Sequence, residues 1–370
     1  MIVIATLLSL AFVELGAWVW VKTARDQQLS RWEFRATQPP PYQNADYFSE
    51  RFLKESETFV NGRLRDVVQL DDYRGEYFNV IDGFRVTTDG PSNSKRRILL
   101  FGGSTLFGQE VPDDHTIASY LQRMVNDAGL AWSVANYGLP GMNASQQVSI
   151  LRNIVLRERD IVIFYHGVND IYYVVFGGAS DGWTSGVPNF RPIQELDPLA
   201  KWMKQWHERL KNYSHTADLA LDIFDRSVPA TISDGDTLDR GVGLAASRFR
   251  AAVKEAQSIV ATSGAQFEHY LQPTIYDVDQ RSSYESKLLT NYLETPPGVD
   301  VAFEKGYPKL LEIGLELQIE GISFMDIRDA LDQRHEYDEI FLDFCHLNHV
   351  GNWLIAQRIF NESILPRANR

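Results

Sequence analysis

The chain of 370 residues is 44% hydrophobic and 23% charged, which is the balance of a folded globular protein and excludes disordered and collagen-like classes. Its 49 Asp and Glu residues against 36 Lys and Arg give a net charge of −13, which argues against nucleic-acid binding because such a chain repels phosphate backbones. Cys345 is the sole cysteine, so an intrachain disulfide and a cysteine-rich zinc site are excluded.

The first predicted element is a membrane-spanning helix. Residues 2–21 are apolar apart from Glu14, and a helix of this length spans about 30 Å, the thickness of the hydrocarbon core. Trp18, Trp20 and Lys22 form an aromatic belt followed by a basic flank. A cleaved secretory signal is the alternative, but it would need a basic residue before the apolar run and a small-residue cleavage site after it. The sequence therefore predicts a single-pass membrane protein that contacts the lipid bilayer through residues 2–21.

Two features of this predicted span leave alternatives open. Glu14 is either a protonated or snorkelling carboxyl group that insertion tolerates, or a polar contact to the transmembrane helix of a partner protein. The basic residues that follow the span favour a cytoplasmic main domain by the positive-inside rule, whereas long domains translocate largely regardless of flanking charge.

The chain after the predicted anchor at 1–22 divides into two parts. Residues 23–94 are expected to form a linker, stiffened by the prolines at 39–41, and a pre-domain segment. From 95 to 365, strands and helices alternate, which is typical of a parallel sheet covered by helices on both faces. The segment from about residue 172 to residue 238 breaks this alternation and is predicted to be a helical insertion over the carboxyl edge of the sheet. The predicted strands cover 97–101, 132–138, 160–167, 265–273 and 321–327, and the predicted helices cover about 113–128, 145–157, 240–262, 301–319 and 348–362.

Polar residues stand just beyond these predicted strands, at the edge where open α/β sheets bind ligands. Three clusters follow a strand directly, namely FGGST (101–105), NYGLPG (136–141) and GVND (167–170), and the fourth, DFCH (343–346), follows the fifth strand and one helix. Together they place serine, glycine, asparagine, aspartate and histidine on one edge, which is the set of residues that acyl transfer requires.

Each residue type in these clusters has a chemical task. A serine hydroxyl is a weak nucleophile until a base takes its proton, and His346 is the candidate base for Ser104. Asp343 stands three residues before His346 and is the candidate for orienting its imidazole ring. His349 competes as the base, but the spacing from Asp343 favours His346.

The tetrahedral intermediate of acyl transfer also needs fixed hydrogen-bond donors for its oxyanion. The candidate donors are the backbone N–H of Ser104, the backbone N–H of Gly141 and the side-chain amide of Asn169. Glycine suits this position because no Cβ separates its backbone from the substrate.

In this order, the four clusters resemble the sequence blocks of the SGNH hydrolases, also called the GDSL family. The likeness extends over about residues 95–360, apart from the insertion. The residues that match the family's nucleophile, oxyanion-hole and Asp-x-x-His positions are Ser104, Gly141, Asn169, Asp343 and His346. GGST replaces the commoner GDS, so the aspartate beside the serine is missing, but that aspartate is not the base. The segment NVIDGFRVTT (79–88) also resembles bacterial members of the family.

The resemblance implies a fold and an activity. The implied fold is a flavodoxin-like, doubly wound parallel sheet of about five strands. The implied activity is that of a serine esterase or O-acyltransferase on acyl esters, with carbohydrate esters as one candidate class, in an extracytoplasmic, periplasmic domain. No metal or cofactor is expected, since the sequence contains no HExxH, EF-hand, Walker A or G-x-G-x-x-G motif. The alternative is a non-catalytic subunit that keeps this fold as a scaffold in a membrane complex, but such a subunit would not need an intact Ser-His-Asp set.

Overall fold

The computed structural model describes residues 39–42, 45–60, 64–66, 69–91, 93–175, 235–278, 281–289, 298–332 and 339–368. The predicted span at 2–21, with its contacts to a bilayer and to a partner at Glu14, lies outside these residues. The same holds for residues 176–234, which are most of the predicted insertion.

The described chain begins with short elements that precede the main domain. The helices are α1 (Pro39–Tyr42) and α2 (Glu50–Val60), and the strands are β1 (Leu64–Asp66), β2 (Gln69–Leu70), β3 (Tyr73–Arg74), β4 (Asn79–Ile81) and β5 (Phe84–Arg85). Strands β1 and β2 form an antiparallel pair, and β3, β4 and β5 form a three-stranded antiparallel sheet.

The main domain alternates strands with helices, as the sequence predicts. Its strands are β6 (Arg96–Gly102), β7 (Trp132–Gly138), β8 (Ile161–His166), β9 (Gln266–Leu271) and β10 (Ser323–Asp326). Its helices are α3 (Ser104–Phe107), α4 (Ile117–Asp127), α5 (Ala144–Leu151), α6 (Val168–Val175), α7 (Gly235–Ala261), α8 (Ser283–Leu288), α9 (Val299–Ile319), α10 (His349–Ile359) and α11 (Leu365–Ala368).

These five strands form one parallel sheet in the order β10-β9-β8-β6-β7. Counted along the chain, this is the 2-1-3-4-5 order of flavodoxin-like sheets. The predicted α/β fold with a five-stranded parallel sheet is therefore confirmed. The order also places the switch point of the topology between β6 and β8, which is where α/β sheets of this kind bind ligands.

The burial of the central strands explains this architecture. Every residue of β8 is buried, and the apolar residues 98–101 of β6 are fully buried as well. A strand that is apolar on both faces needs cover on both faces. Helix α7 packs against α5, α6 and α9, whereas α4 packs against α10, so the helices form two groups that cover the sheet.

The single-pass membrane localisation predicted from the sequence is not supported by the helices that the structure describes. Within the described residues, no helix is both long and apolar enough to cross a membrane. The two longest, α7 with 27 residues and α9 with 21, carry charged side chains that pair with each other, such as Asp239 with Lys305 and Arg250 with Glu316.

The segment before residue 95 is joined to the main domain through a buried arginine. Arg85, on β5, forms an ion pair with Asp113, and its guanidinium group donates to the backbone oxygens of Gly108 at 3.0 Å and Val111 at 2.9 Å. The guanidinium carbon also lies 4.0 Å from the centre of the Phe78 ring. Arg85 thus fixes the stretch of chain that follows α3.

Replacing Arg85 with methionine should lower the free energy of unfolding by about 3–5 kcal/mol, because Asp113 is then left without its buried counter-charge. The matched control is Arg152→Met, which removes an ion pair with Glu255 at the surface and should change stability by less than about 1 kcal/mol. Urea denaturation of both variants measures the difference, and equal losses would contradict the role of Arg85.

Two histidines are buried together on neighbouring strands. Nε2 of His166 lies 3.3 Å from Nδ1 of His269, and the rings of Phe249 and Phe324 pack against them. Burial lowers the pKa of His269 to about 3, and burial together with His269 lowers the pKa of His166 well below its usual value. Both rings are therefore neutral in the folded protein at neutral pH.

This burial should make the protein less stable in acid. The unfolded chain binds a proton at each histidine below a pH of about 6.5, whereas folded His269 resists protonation until about pH 3, so stability declines as the pH falls through this window. The variant His269→Gln should lose about 2 kcal/mol less of its unfolding free energy than the wild type between pH 7 and pH 5. Urea denaturation at the two pH values tests this, and parallel declines in both proteins would refute it.

Candidate active site

Ser104 lies at the tight turn where the chain leaves the sheet. Strand β6 ends at Gly102, Gly103 is the N-cap, and Ser104 is the first residue of α3. Because Gly103 occupies the cap position, the Ser104 hydroxyl is not used to cap the helix and is presented at the carboxyl edge of the sheet.

The side chains of Ser104, His346 and Asp343 form a continuous hydrogen-bonded chain. Nε2 of His346 lies 2.7 Å from Oγ of Ser104, and Nδ1 of His346 lies 2.6 Å from Oδ2 of Asp343. The residues are buried except for the partly exposed Ser104. The structure therefore brings together three residues that the sequence separates by as much as 242 positions.

The carboxylate of Asp343 binds backbone N–H groups as well as the ring of His346. Its Oδ1 accepts the backbone N–H of Cys345 at 2.9 Å and that of His346 at 2.7 Å, while Oδ2 contacts the imidazole ring. The three-residue spacing thus closes a tight loop in which one carboxylate orients both the backbone and the ring of the histidine. His349 begins α10 and its Nδ1 lies 3.3 Å from the hydroxyl of Tyr47, so His346 and not His349 faces Ser104.

The predicted oxyanion donors lie beside the same turn. A Cβ on Gly103 would overlap Nδ2 of Asn169 and would lie 3.5 Å from the backbone oxygen of Met142. The amide of Asn169 can approach the backbone before Ser104 only because residue 103 is glycine. Nδ2 of Asn169 donates one hydrogen bond to that Met142 oxygen at 2.9 Å, and the amide carries a second N–H. Gly141, one residue earlier in the same loop, has a φ of 77°, a left-handed conformation that favours glycine.

Several residues that support this arrangement were not predicted. Tyr173 donates from its hydroxyl to the backbone oxygen of Gly141 at 2.7 Å, and Oδ1 of Asp170 accepts the backbone N–H of Ala144 at 3.1 Å. Asp170, in the first turn of α6, thus holds the first turn of α5. Burial raises the pKa of Asp170 to about 6.

A second set of contacts ties the turn of Ser104 to the loop of His346. The amide of Gln272 donates to Oγ1 of Thr105 at 2.9 Å, and that hydroxyl donates to the backbone oxygen of Cys345 at 3.4 Å. The backbone N–H of Ile275 donates to the oxygen of Phe344 at 2.9 Å. These contacts fix the position of the Ser104 turn relative to the loop that carries Asp343 and His346.

Asp343, Cys345 and His346 also place potential metal-ligand atoms within 4.8 Å of one another. Both ring nitrogens of His346, however, already have partners in Asp343 and Ser104. This arrangement suits the movement of a proton along the chain from Ser104 to His346.

No protein-family model and no curated protein matches the chain. The chain is similar to solved structures that include a member of the lipolytic G-D-S-L family from Veillonella parvula, with 14% identity and a TM-score of 0.40 over 72% of this chain and 98% of that chain. An acetyl xylan esterase has 12% identity and a TM-score of 0.38 over 72% of this chain and 100% of that chain. An acetylxylan esterase from Geobacillus stearothermophilus has 14% identity and a TM-score of 0.39 over 73% and 94%. The chain resembles GDSL-family hydrolases in its four motifs, and a structure from that family is among those that it matches.

Proposed function

We propose that the chain is a serine esterase of the SGNH/GDSL type that acts on acyl esters. The observation that carries this proposal is the hydrogen-bonded chain from Ser104 through His346 to Asp343, beside the amide of Asn169 and the loop of Gly141. In this proposal Ser104 is the nucleophile, His346 is the general base, and Asp343 orients the imidazole ring.

The proposed reaction begins when Oγ of Ser104 attacks the acyl carbon of the ester. Nε2 of His346, at 2.7 Å, takes the hydroxyl proton, and the carboxylate of Asp343 stabilises the imidazolium that forms. The carbonyl oxygen of the ester becomes an oxyanion, which accepts hydrogen bonds from the backbone N–H groups of Ser104 and Gly141 and from the amide of Asn169. The alcohol then leaves with the proton of His346, and an acyl group remains on Ser104.

A second attack completes the cycle. His346 takes a proton from an incoming hydroxyl group, which attacks the acyl carbon of the acyl-enzyme. The bond between the acyl group and Oγ of Ser104 then breaks, and His346 returns the proton to that oxygen. Water as this hydroxyl donor gives an esterase, and a sugar hydroxyl gives an O-acyltransferase. Carbohydrate esters are the substrate class that the family resemblance suggests. The contact between Ser104 and His346 favours an enzyme over a non-catalytic scaffold, because a scaffold has no need of a serine within reach of a base.

Replacing Ser104 with alanine should lower kcat for a short-chain ester by at least about a thousandfold, because no nucleophile remains, and should leave the thermal unfolding temperature close to that of the wild type. A fluorophosphonate probe should label the wild type once per chain and fail to label the variant. Ser149→Ala, which removes an exposed hydroxyl on α5, is the control and should keep both activity and labelling. Labelling of a different serine would sink the assignment of Ser104.

Replacing Asp343 with asparagine should lower kcat by about 10³–10⁴-fold at neutral pH. The amide oxygen can still accept from the backbone of Cys345 and His346, but the amide N–H₂ then faces Nδ1 and forces the ring proton onto Nε2, where a base is needed. Steady-state kinetics and circular dichroism of the purified variant measure the two effects separately. An unchanged kcat in a folded variant would show that Asp343 does not orient His346.

A further inference from the structure

Helix α6 holds the loop between β7 and α5, which carries Gly141, at three points. From α6, Asn169 donates to the backbone oxygen of Met142 at 2.9 Å, Asp170 accepts the N–H of Ala144 at 3.1 Å, and Tyr173 donates to the oxygen of Gly141 at 2.7 Å. Residues 169 and 173 are one helical turn apart, so their side chains emerge on the same face of α6. The loop between β7 and α5 is thereby fixed from outside rather than by its own hydrogen bonds alone.

The contact of Tyr173 is the one that bears on Gly141. A Cβ at position 141 would lie 2.6 Å from the hydroxyl oxygen of Tyr173, so the tyrosine fits closely against a glycine backbone. Burial raises the pKa of Tyr173 to about 12, so the hydroxyl keeps its proton and remains a donor over the whole range in which a protein of this kind would be assayed.

Glycine at position 141 needs such a restraint. Its φ of 77° is readily available to glycine, but so are many other conformations, and rotation of this backbone would turn the N–H of Gly141 away from the substrate. Donors to an oxyanion are effective because they are already oriented before the charge develops. The backbone N–H of Met142 donates to the oxygen of Leu139 at 3.3 Å, and Tyr173 supplies the complementary restraint on the oxygen of Gly141.

We propose that Tyr173 is a positioning residue, which holds the Gly141 loop so that the N–H of Gly141 points at the developing oxyanion. This inference rests on the proposed function, since it assigns Tyr173 a role in the reaction of Ser104. Tyr173 does not touch the reacting atoms, and it acts through Gly141.

The test is Tyr173→Phe, which removes the hydroxyl and keeps the ring. We expect kcat for a short-chain ester to fall about tenfold or more while KM stays within about twofold, because the lost orientation matters mainly in the transition state. Amide hydrogen exchange of residues 139–144 should become faster in the variant. The control is Tyr270→Phe, which removes the buried hydroxyl bonded to Ser363 and should leave kcat and the exchange of this loop unchanged.

A double variant makes the test sharper. Gly141→Ala should be less damaging when Tyr173 is already phenylalanine, because the 2.6 Å contact with the hydroxyl oxygen is then gone and only the backbone strain remains. If the effects of the two substitutions on amide hydrogen exchange of the loop and on stability simply add in the double variant, the two residues do not interact.

The outcomes separate this inference from the proposed function. If the wild type neither hydrolyses esters nor labels at Ser104, the proposed function fails, and exchange of the loop in Tyr173→Phe still shows whether the hydroxyl holds it. If the wild type is active and Tyr173→Phe keeps its full kcat, or if only KM changes, the positioning role is overturned. Unchanged loop exchange in the variant would overturn it as well.

Discussion

The candidate site depends on the parallel direction of the five central strands. Because β6, β7, β8 and β9 all run the same way, the loops that follow them leave from one edge of the sheet. Ser104, Gly141, Asn169 and Gln272 follow these strands, and each is delivered to that edge by the strand before it. The sheet itself is held by residues that are buried on both faces, so the apolar pattern of the strands is what brings the polar residues together.

Much of this arrangement could be predicted from the sequence because it follows from the types of residue at each position. Continuous apolar runs predicted the strands to within two or three residues at each end, and polar residues at strand ends predicted which side chains meet. Helix α5 shows where such patterns fail. It was predicted to reach residue 157 but ends at Leu151, because Ile154 and Leu156 pack partly buried against the core from a loop and so imitate the spacing of a helix. The predicted span at residues 2–21 rested on its length, its apolar composition and its flanking residues, and it lies outside the described residues.

The supporting contacts could not be predicted, for a different physical reason. The side chains of Tyr173 and Arg85 bind backbone oxygens, and that of Gln272 binds a residue far away in the chain. Every residue has a backbone oxygen, so the sequence does not show which one a side chain will bind. The spacing of Tyr173 from Asn169, four residues on one helix, is the sequence feature that places the two side chains on the same face. A residue that orients the backbone of another is visible only once the chain has folded.

The buried ion pair of Arg85 with Asp113 also bears on where this protein can be divided. The sequence suggests a boundary near residue 95, but Arg85 is supplied from one side of that boundary and Asp113 from the other. The carboxylate of Glu55 on α2 similarly accepts the backbone N–H groups of Tyr77 and Phe78, which continue towards β5. A shortened chain that starts at residue 95 would leave Asp113 as an uncompensated charge and would uncover the ring of Phe107, the last residue of the helix that begins at Ser104. The early segment and the sheet therefore share one buried ion pair, and a chain exchanged at residue 95 would have to supply a matching partner for Asp113.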